Sequence, residues 1–158
     1  MLQAEGKFVT DLILAICHHL LVFSLPVILA TEAALVRPGM PAATLKRVGV
    51  VDIHYGAVAG AVILVGFARV FWGVKGPEAY LPNPYFWAKI AAFAVVGLLS
   101  IPPTIRILAW RKASKADPTF SPDAAEVSFV RRFFLAEALA FVPIPAFAAA
   151  MARGYGLG

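Results

Sequence analysis

The chain has 158 residues, of which 61% are hydrophobic and 15% charged, and its mean hydropathy is +0.81. A soluble domain usually carries about 45–50% apolar and about 25% charged residues, and a small core could not bury the excess found here. The composition therefore excludes an ordinary soluble domain and predicts an integral membrane protein whose first partner is the lipid bilayer. The net charge of +5 does not indicate nucleic-acid binding, because most basic residues lie in two short segments between apolar stretches.

Four apolar stretches follow one another along the chain, and each is long enough to cross a membrane. A spanning helix needs roughly 20 apolar residues, and only a helix satisfies every backbone polar group of a single segment inside lipid. The first stretch ends at Arg37-Pro38-Gly39, and the second ends before the polar segment 73–84. The sequence predicts one all-α domain over residues 1–158, a four-helix transmembrane bundle with spans at about 12–36, 48–72, 86–110 and 129–152.

The distribution of lysine and arginine predicts the orientation of the bundle. Nine of these residues flank the first and third connections between spans, and five lie on the opposite side. Positive residues accumulate on the cytoplasmic side of a membrane. Both of those connections are therefore expected in the cytoplasm and both termini outside it.

Ionisable residues within the spans are the candidate functional residues, because they are costly there and rarely kept without a use. The deepest are His18, His19 and Glu137. His18 and Glu32 are 14 residues apart, which brings both to nearly the same face of the first helix. His19 points about 100° away from that face.

The depth of these histidines is suited to a b-type haem. His18 or His19 is expected roughly 10 Å below the outer surface, with Arg69 and Lys89 above it on the second and third spans. Imidazole ligates haem iron, and cations pair with the propionates. His18 is the first choice of iron ligand, and His54 ranks lower because it lies near the cytoplasmic end of its span. The alternative, that these histidines are hydrogen-bonded packing residues, stays open.

Two glutamates are candidate catalytic residues. A carboxyl group shielded from water between helices can exchange a proton at neutral pH, so Glu137 and Glu32 are predicted to transfer protons. The alternative for Glu137 is a structural pair with a cationic residue. The expected partners by depth are His54 and Arg106, with Arg132 as a further cation. Glu32 is expected nearby as an acidic neighbour.

Several segments resemble the bacterial membrane family known as domain of unknown function 2214. The resemblance extends over essentially the whole chain, includes His18 and Glu32, and departs from the family pattern at His54. It implies a multi-pass protein of the bacterial inner membrane, in which the termini that the charge distribution places outside the cytoplasm would be periplasmic. The segments are Asp52-Ile-His-Tyr-Gly56, Gly66-Phe-Ala-Arg-Val-Phe71, Asn83-Pro-Tyr-Phe-Trp-Ala-Lys89, Ser100-Ile-Pro-Pro-Thr104 and Met151-Ala-Arg-Gly154.

That family is in turn distantly similar to CopD-like four-helix proteins, which include the haem-associated membrane protoporphyrinogen oxidase. The positions that match are His18 or His19, Lys89, and Arg132 with Glu137. This second resemblance implies haem as a cofactor and implies no particular activity, so whether the protein is an enzyme stays open.

Three hypotheses about function follow. The first is a small membrane redox protein that binds haem b. The second is a non-catalytic accessory subunit that docks on a larger membrane complex, or a homo-oligomer, since small residues such as Gly60 and Gly97 permit close helix approach. The third is copper handling at Cys17-His18-His19, which is disfavoured because adjacent residues on a helix point in different directions.

Overall fold

The computed structural model describes residues 2–156, so residues 1, 157 and 158 of the predicted domain lie outside it. Regular structure in this part of the chain is entirely helical, which confirms the all-α prediction. Four helical segments are long and apolar enough to cross a membrane: α1, α2, α4, and α5 with α6 taken together. The helices are α1 Leu2–Leu35, α2 Ala42–Trp72, α3 Pro77–Tyr80, α4 Pro84–Ala116, α5 Ala124–Phe141 and α6 Pro143–Ala152.

Polar caps, rather than the ends of the apolar stretches, set where two of the long helices begin. The Asn83 side chain accepts a hydrogen bond of 2.9 Å from the Tyr85 amide, and Pro84 occupies the first helical position of α4. The Asp123 side chain accepts a bond of 2.7 Å from the Glu126 amide at the start of α5. Both caps satisfy backbone donors that have no partner within the helix.

The prolines within the spans have different effects. Pro26 lies inside α1, and Pro102 and Pro103 lie inside α4, without ending either helix. The fourth span is divided at Val142, between the end of α5 and Pro143, which has no backbone N–H to continue the first helix. After this division α6 packs mainly on α4 and hardly approaches α1.

The bundle has two ends that differ in packing. We call the end with both termini and residues 73–83 the terminal end, and the end with the 36–41 and 117–123 connections the opposite end. Helix α1 packs on α2, α2 on α4, and α4 on α5 and α6, while α1 meets α5 over a smaller area. Among residues 5–24 of α1 no side chain is fully buried, and burial begins at Leu25. The main core includes Leu25, Leu29, Val48, Ile107, Trp110, Val130 and Phe134.

The C-terminal end of α1 is capped by an arginine from α5. Arg131 Nη1 donates hydrogen bonds of 2.8 Å to the carbonyl oxygens of Ala33 and Val36. The last carbonyls of a helix have no partner within it and carry partial negative charge, so a guanidinium stabilises them in both respects. This contact joins the first and last spans at the opposite end.

Arg131→Ala is therefore expected to lower the free energy of unfolding by about 1–3 kcal/mol, because two carbonyl oxygens at the end of a helix lose a charged donor. Denaturant unfolding in detergent micelles measures the change. Arg132→Ala is the matched control, since Arg132 is the next residue of the same helix and is also exposed, whereas the hydrogen bonds to the end of α1 come from Arg131. Equal losses for the two variants would contradict the capping role.

Candidate functional site

Three basic side chains from three helices meet in the terminal half of the bundle. His18 of α1, Arg69 of α2 and Lys89 of α4 lie close enough to interact electrostatically, and we call this group the basic layer. The His18 ring lies against Gly66, where an added Cβ would be only 3.1 Å from the ring Cε1. Because Gly66 has no side chain, the imidazole can pack directly against the backbone of α2. The structure brings together the histidine and the two cations that the sequence placed above it on the second and third spans.

The basic layer lacks partners of opposite charge among the described residues. His18 Nδ1 and Arg69 Nε are buried without a hydrogen-bond partner, although the Val62 carbonyl lies near the His18 ring outside hydrogen-bond geometry. Lys89 Nζ lies 5.4 Å from the centroid of the Phe86 ring, a cation–π contact. Among residues 5–156 the ion pair joins Arg106 to Glu126, so neither Arg69 nor Lys89 is paired with a carboxylate there. Positive charge inside a spanning segment is costly unless it is paired, so the layer is suited to an anionic group.

The other candidate ligands on α1 and α2 do not join this layer. Cys17 and His19 are exposed, and the His19 ring stacks on Phe23 at a centroid distance of 6.4 Å. His54 is also exposed, and its Nδ1 lies 2.7 Å from the Val50 carbonyl oxygen of its own helix. The described part of the chain contains no group of three His, Cys, Asp or Glu side chains that could hold a metal ion. Copper handling thus has no supporting geometry there.

A second polar group lies nearer the opposite end and is acidic. Glu32 of α1 and Glu137 of α5 are each 1% exposed and lie close to one another and to Asp52 of α2. Tyr55 of α2, 6% exposed, has its hydroxyl beside the Glu137 carboxylate but outside hydrogen-bond geometry. Glu32 Oε1 and both carboxylate oxygens of Glu137 have no hydrogen-bond partner. We call Glu32 and Glu137 the carboxyl pair.

The cationic partners predicted for Glu137 are wrong. Arg106 forms its ion pair with Glu126, at 3.2 Å, and Trp110 Nε1 donates to the other oxygen of Glu126 at 3.0 Å. The Arg106 side chain is 50% exposed, as expected of an arginine that extends toward the membrane surface. His54 and Arg132 are exposed, and the groups that act on Glu137 are Tyr55 and Asp52 instead. The acidic neighbour expected for Glu137, Glu32, is confirmed.

The polar region around the carboxyl pair extends toward the opposite end through Thr104 and Arg111 of α4. Thr104 Oγ1 donates a bond of 2.7 Å to Asp52 Oδ1. Arg111 interacts with Asp52 electrostatically and donates a bond of 3.3 Å to the Gly49 carbonyl oxygen. Sequence reasoning missed Thr104 and Tyr55, because one hydroxyl adds no charge and changes the mean hydropathy of a span only slightly. Their one available signal was spacing, since Tyr55 and Asp52 share a helix face at a separation of three residues.

Comparison with known protein families gives a match that covers nearly the whole chain. The family model described as "Predicted membrane protein (DUF2214)" matches residues 10–156. Neither the comparison with curated proteins nor the comparison with solved structures gives a match. The likeness to CopD-like proteins is not shown by this match. Because the family model matches nearly the whole chain and the chain has four candidate spans, the chain belongs to the DUF2214 family of membrane proteins.

Proposed function

We propose that the protein binds a b-type haem at the basic layer, with His18 as iron ligand and with Arg69 and Lys89 as partners of the propionates. The observation that supports this most is uncompensated positive charge around an imidazole inside a spanning bundle. A haem offers an iron for one ring nitrogen and two carboxylates for the cations, so it satisfies all three side chains together.

The surroundings of His18 fit this role. Its Nδ1 is buried beside the α2 backbone, near the Val62 carbonyl, which leaves Nε2 as the nitrogen for a metal. Ligating histidines commonly direct their second ring nitrogen to a carbonyl or carboxylate, which fixes the tautomer. Here Gly66 sets the distance between the imidazole and α2.

Access to the basic layer also supports the proposal. No side chain is fully buried in residues 5–24 of α1, and α6 hardly approaches α1. The terminal half is therefore open at the side between α1 and α6, so that a flat macrocycle could reach His18 from the bilayer. Bound there, haem would supply one-electron chemistry, and the chain would bind, orient and shield it.

The test is the absorption spectrum of protein purified in mild detergent from a host with ample haem. We expect a Soret band in the wild type. Arg69→Gln and Lys89→Gln should keep the ligand signature but weaken haem binding roughly 10–100-fold, the loss of one charge-assisted contact. Lys75→Gln is the control, since Lys75 is exposed in the 73–83 segment.

A colourless preparation that also gives no saturable spectral change with haemin would contradict the haem proposal. It would favour the accessory-subunit hypothesis instead. The exposed imidazole of His19 would then be the first surface to examine, because a polar ring facing lipid is costly without a partner.

The orientation with both termini periplasmic belongs to the same proposal and has its own test. In a Cys17→Ala background, Lys75→Cys and Lys115→Cys place single thiols on two exposed segments at the two ends of the bundle. A membrane-impermeant maleimide should label the thiol at position 75 in spheroplasts, and the thiol at 115 only after permeabilisation. The reverse pattern would invert the orientation.

A further inference from the structure

The negative charge of the carboxyl pair has no cationic partner beside it, and the proposed haem site does not supply one. Glu32 and Glu137 come from α1 and α5 and are almost completely buried, at 1% exposure each. The groups that act on Glu32 are Asp52 and Glu137, and those that act on Glu137 are Tyr55 and Asp52. No cation is among them. Two ionised carboxylates so placed would repel each other in a region of low dielectric constant, so their charge must be neutralised.

The remaining groups around the pair do not neutralise it. On α2, Tyr55 is neutral and Asp52 is acidic. On α4, Thr104 donates to Asp52, and Arg111 acts on Asp52 rather than on the pair. Among the other cations of these helices and their connections, Arg106 pairs with Glu126 and Arg131 donates to the carbonyls of α1. Arg37 and Arg132 are exposed. Helix α6 contains no ionisable side chain, and Lys46 and Arg47 of α2 are exposed.

Tyr55 is a second, independent observation at this place. Its side chain belongs to a different helix, is more than nine-tenths buried, and is aimed at Glu137 without forming a hydrogen bond of normal geometry. A phenol is held beside an acid in this way where it can donate to the ionised form and accept from the protonated form. The site thus has a group able to stabilise either protonation state.

The spacing of the acidic groups decides between a proton and a metal ion as the ligand. The described residues contain no three His, Cys, Asp or Glu side chains close enough to surround a metal ion, so the three acids here do not form a coordination shell. A proton needs only one oxygen donor and one acceptor.

We infer that Glu32 and Glu137, with Tyr55, form a proton-binding site within the bundle, and that Asp52 and Thr104 connect it toward the opposite end. The charge of the pair is neutralised by proton binding rather than by a cation, and the site releases a proton when a base reaches the polar region. It lies about 21 Å along α1 from His18, so it does not depend on haem binding.

The test uses dicyclohexylcarbodiimide, a lipid-soluble reagent that adds protonated carboxyl groups across its C=N bond. Wild-type protein in nanodiscs should be labelled at Glu32 or Glu137, as located by peptide mass spectrometry, and labelling should fall as the pH is raised. Glu126→Gln is the matched control, because Glu126 lies on the same helix as Glu137 but is paired with Arg106. It should leave the labelling unchanged.

Infrared spectra supply a readout that needs no reagent. The wild type should show the carbonyl stretch of a protonated carboxylic acid at neutral pH, and Glu32→Gln with Glu137→Gln should remove it together with the labelling. Should that double variant fail to fold, Tyr55→Phe keeps the test decisive, because it should shift the frequency of the band without removing it.

Three outcomes would overturn the inference. The first is wild-type protein with neither labelling nor a protonated band. The second is a band unaffected by Tyr55→Phe and by both glutamine substitutions. The third is labelling suppressed by sodium at constant pH and ionic strength, which would make the ligand a metal cation. None of them depends on whether the same preparation contains haem, so the two proposals fail separately.

Discussion

His18→Ala is expected to abolish the Soret absorbance of the purified protein, whereas His19→Ala should keep most of it. The two rings are neighbours in sequence, but His18 lies in the basic layer against Gly66 while His19 is exposed and stacked on Phe23. Only the first can ligate a group that also contacts Arg69 and Lys89. The measurement is the absorption spectrum at matched protein concentration, after circular dichroism has shown that each variant is folded.

Exogenous imidazole separates a ligand role from a structural one. The space left by His18→Ala should admit free imidazole and restore part of the spectrum, an effect that a mere packing residue would not produce. Equal losses from the two histidine variants, or none from either, would show that the ligand is assigned wrongly.

Trp110→Ala is expected to cause the largest loss of stability of any single truncation, about 3–5 kcal/mol. Trp110 is 2% exposed in the main core, and its indole N–H donates a bond of 3.0 Å to Glu126. Within a membrane the loss is chiefly one of packing and hydrogen bonding, because lipid is as apolar as the core. Denaturant unfolding in detergent measures it.

Two further variants divide that effect into its parts. Trp110→Phe keeps most of the ring and removes the donor, so it should lose a smaller amount, about 1–3 kcal/mol. Trp72→Ala removes an indole that is 69% exposed at the end of α2 and should change stability by less than about 0.5 kcal/mol. A loss at Trp72 as large as that at Trp110 would contradict the assignment of the core.

The sequence by itself determined the number and type of the elements. The thickness of the hydrocarbon core fixes how many apolar residues a span needs, and lipid permits a single segment to cross only as a helix. Four such stretches therefore predict four spans, and the structure confirms them. The helix starts at Pro84 and Ala124 were missed because they depend on capping by Asn83 and Asp123, which hydropathy does not report.

The sequence also determined which side chains could meet in the terminal half. Depth follows from counting residues along each helix, at about 1.5 Å per residue, and that count places His18, Arg69 and Lys89 in the same half of the bundle, with Arg69 and Lys89 nearer its surface than His18. The structure brings the three together. Their function stays a prediction that the spectra described above will test.

Only the tertiary structure decided the partners of Glu137. Counting along the helices placed His54 and Arg106 near its level, but a depth says nothing about which face of each helix turns inward. Packing rotates Tyr55 and Glu137 into the bundle, while His54 is exposed and Arg106 extends to Glu126. The rotation of each helix is set by how the side chains of several helices fit together, which no single span contains.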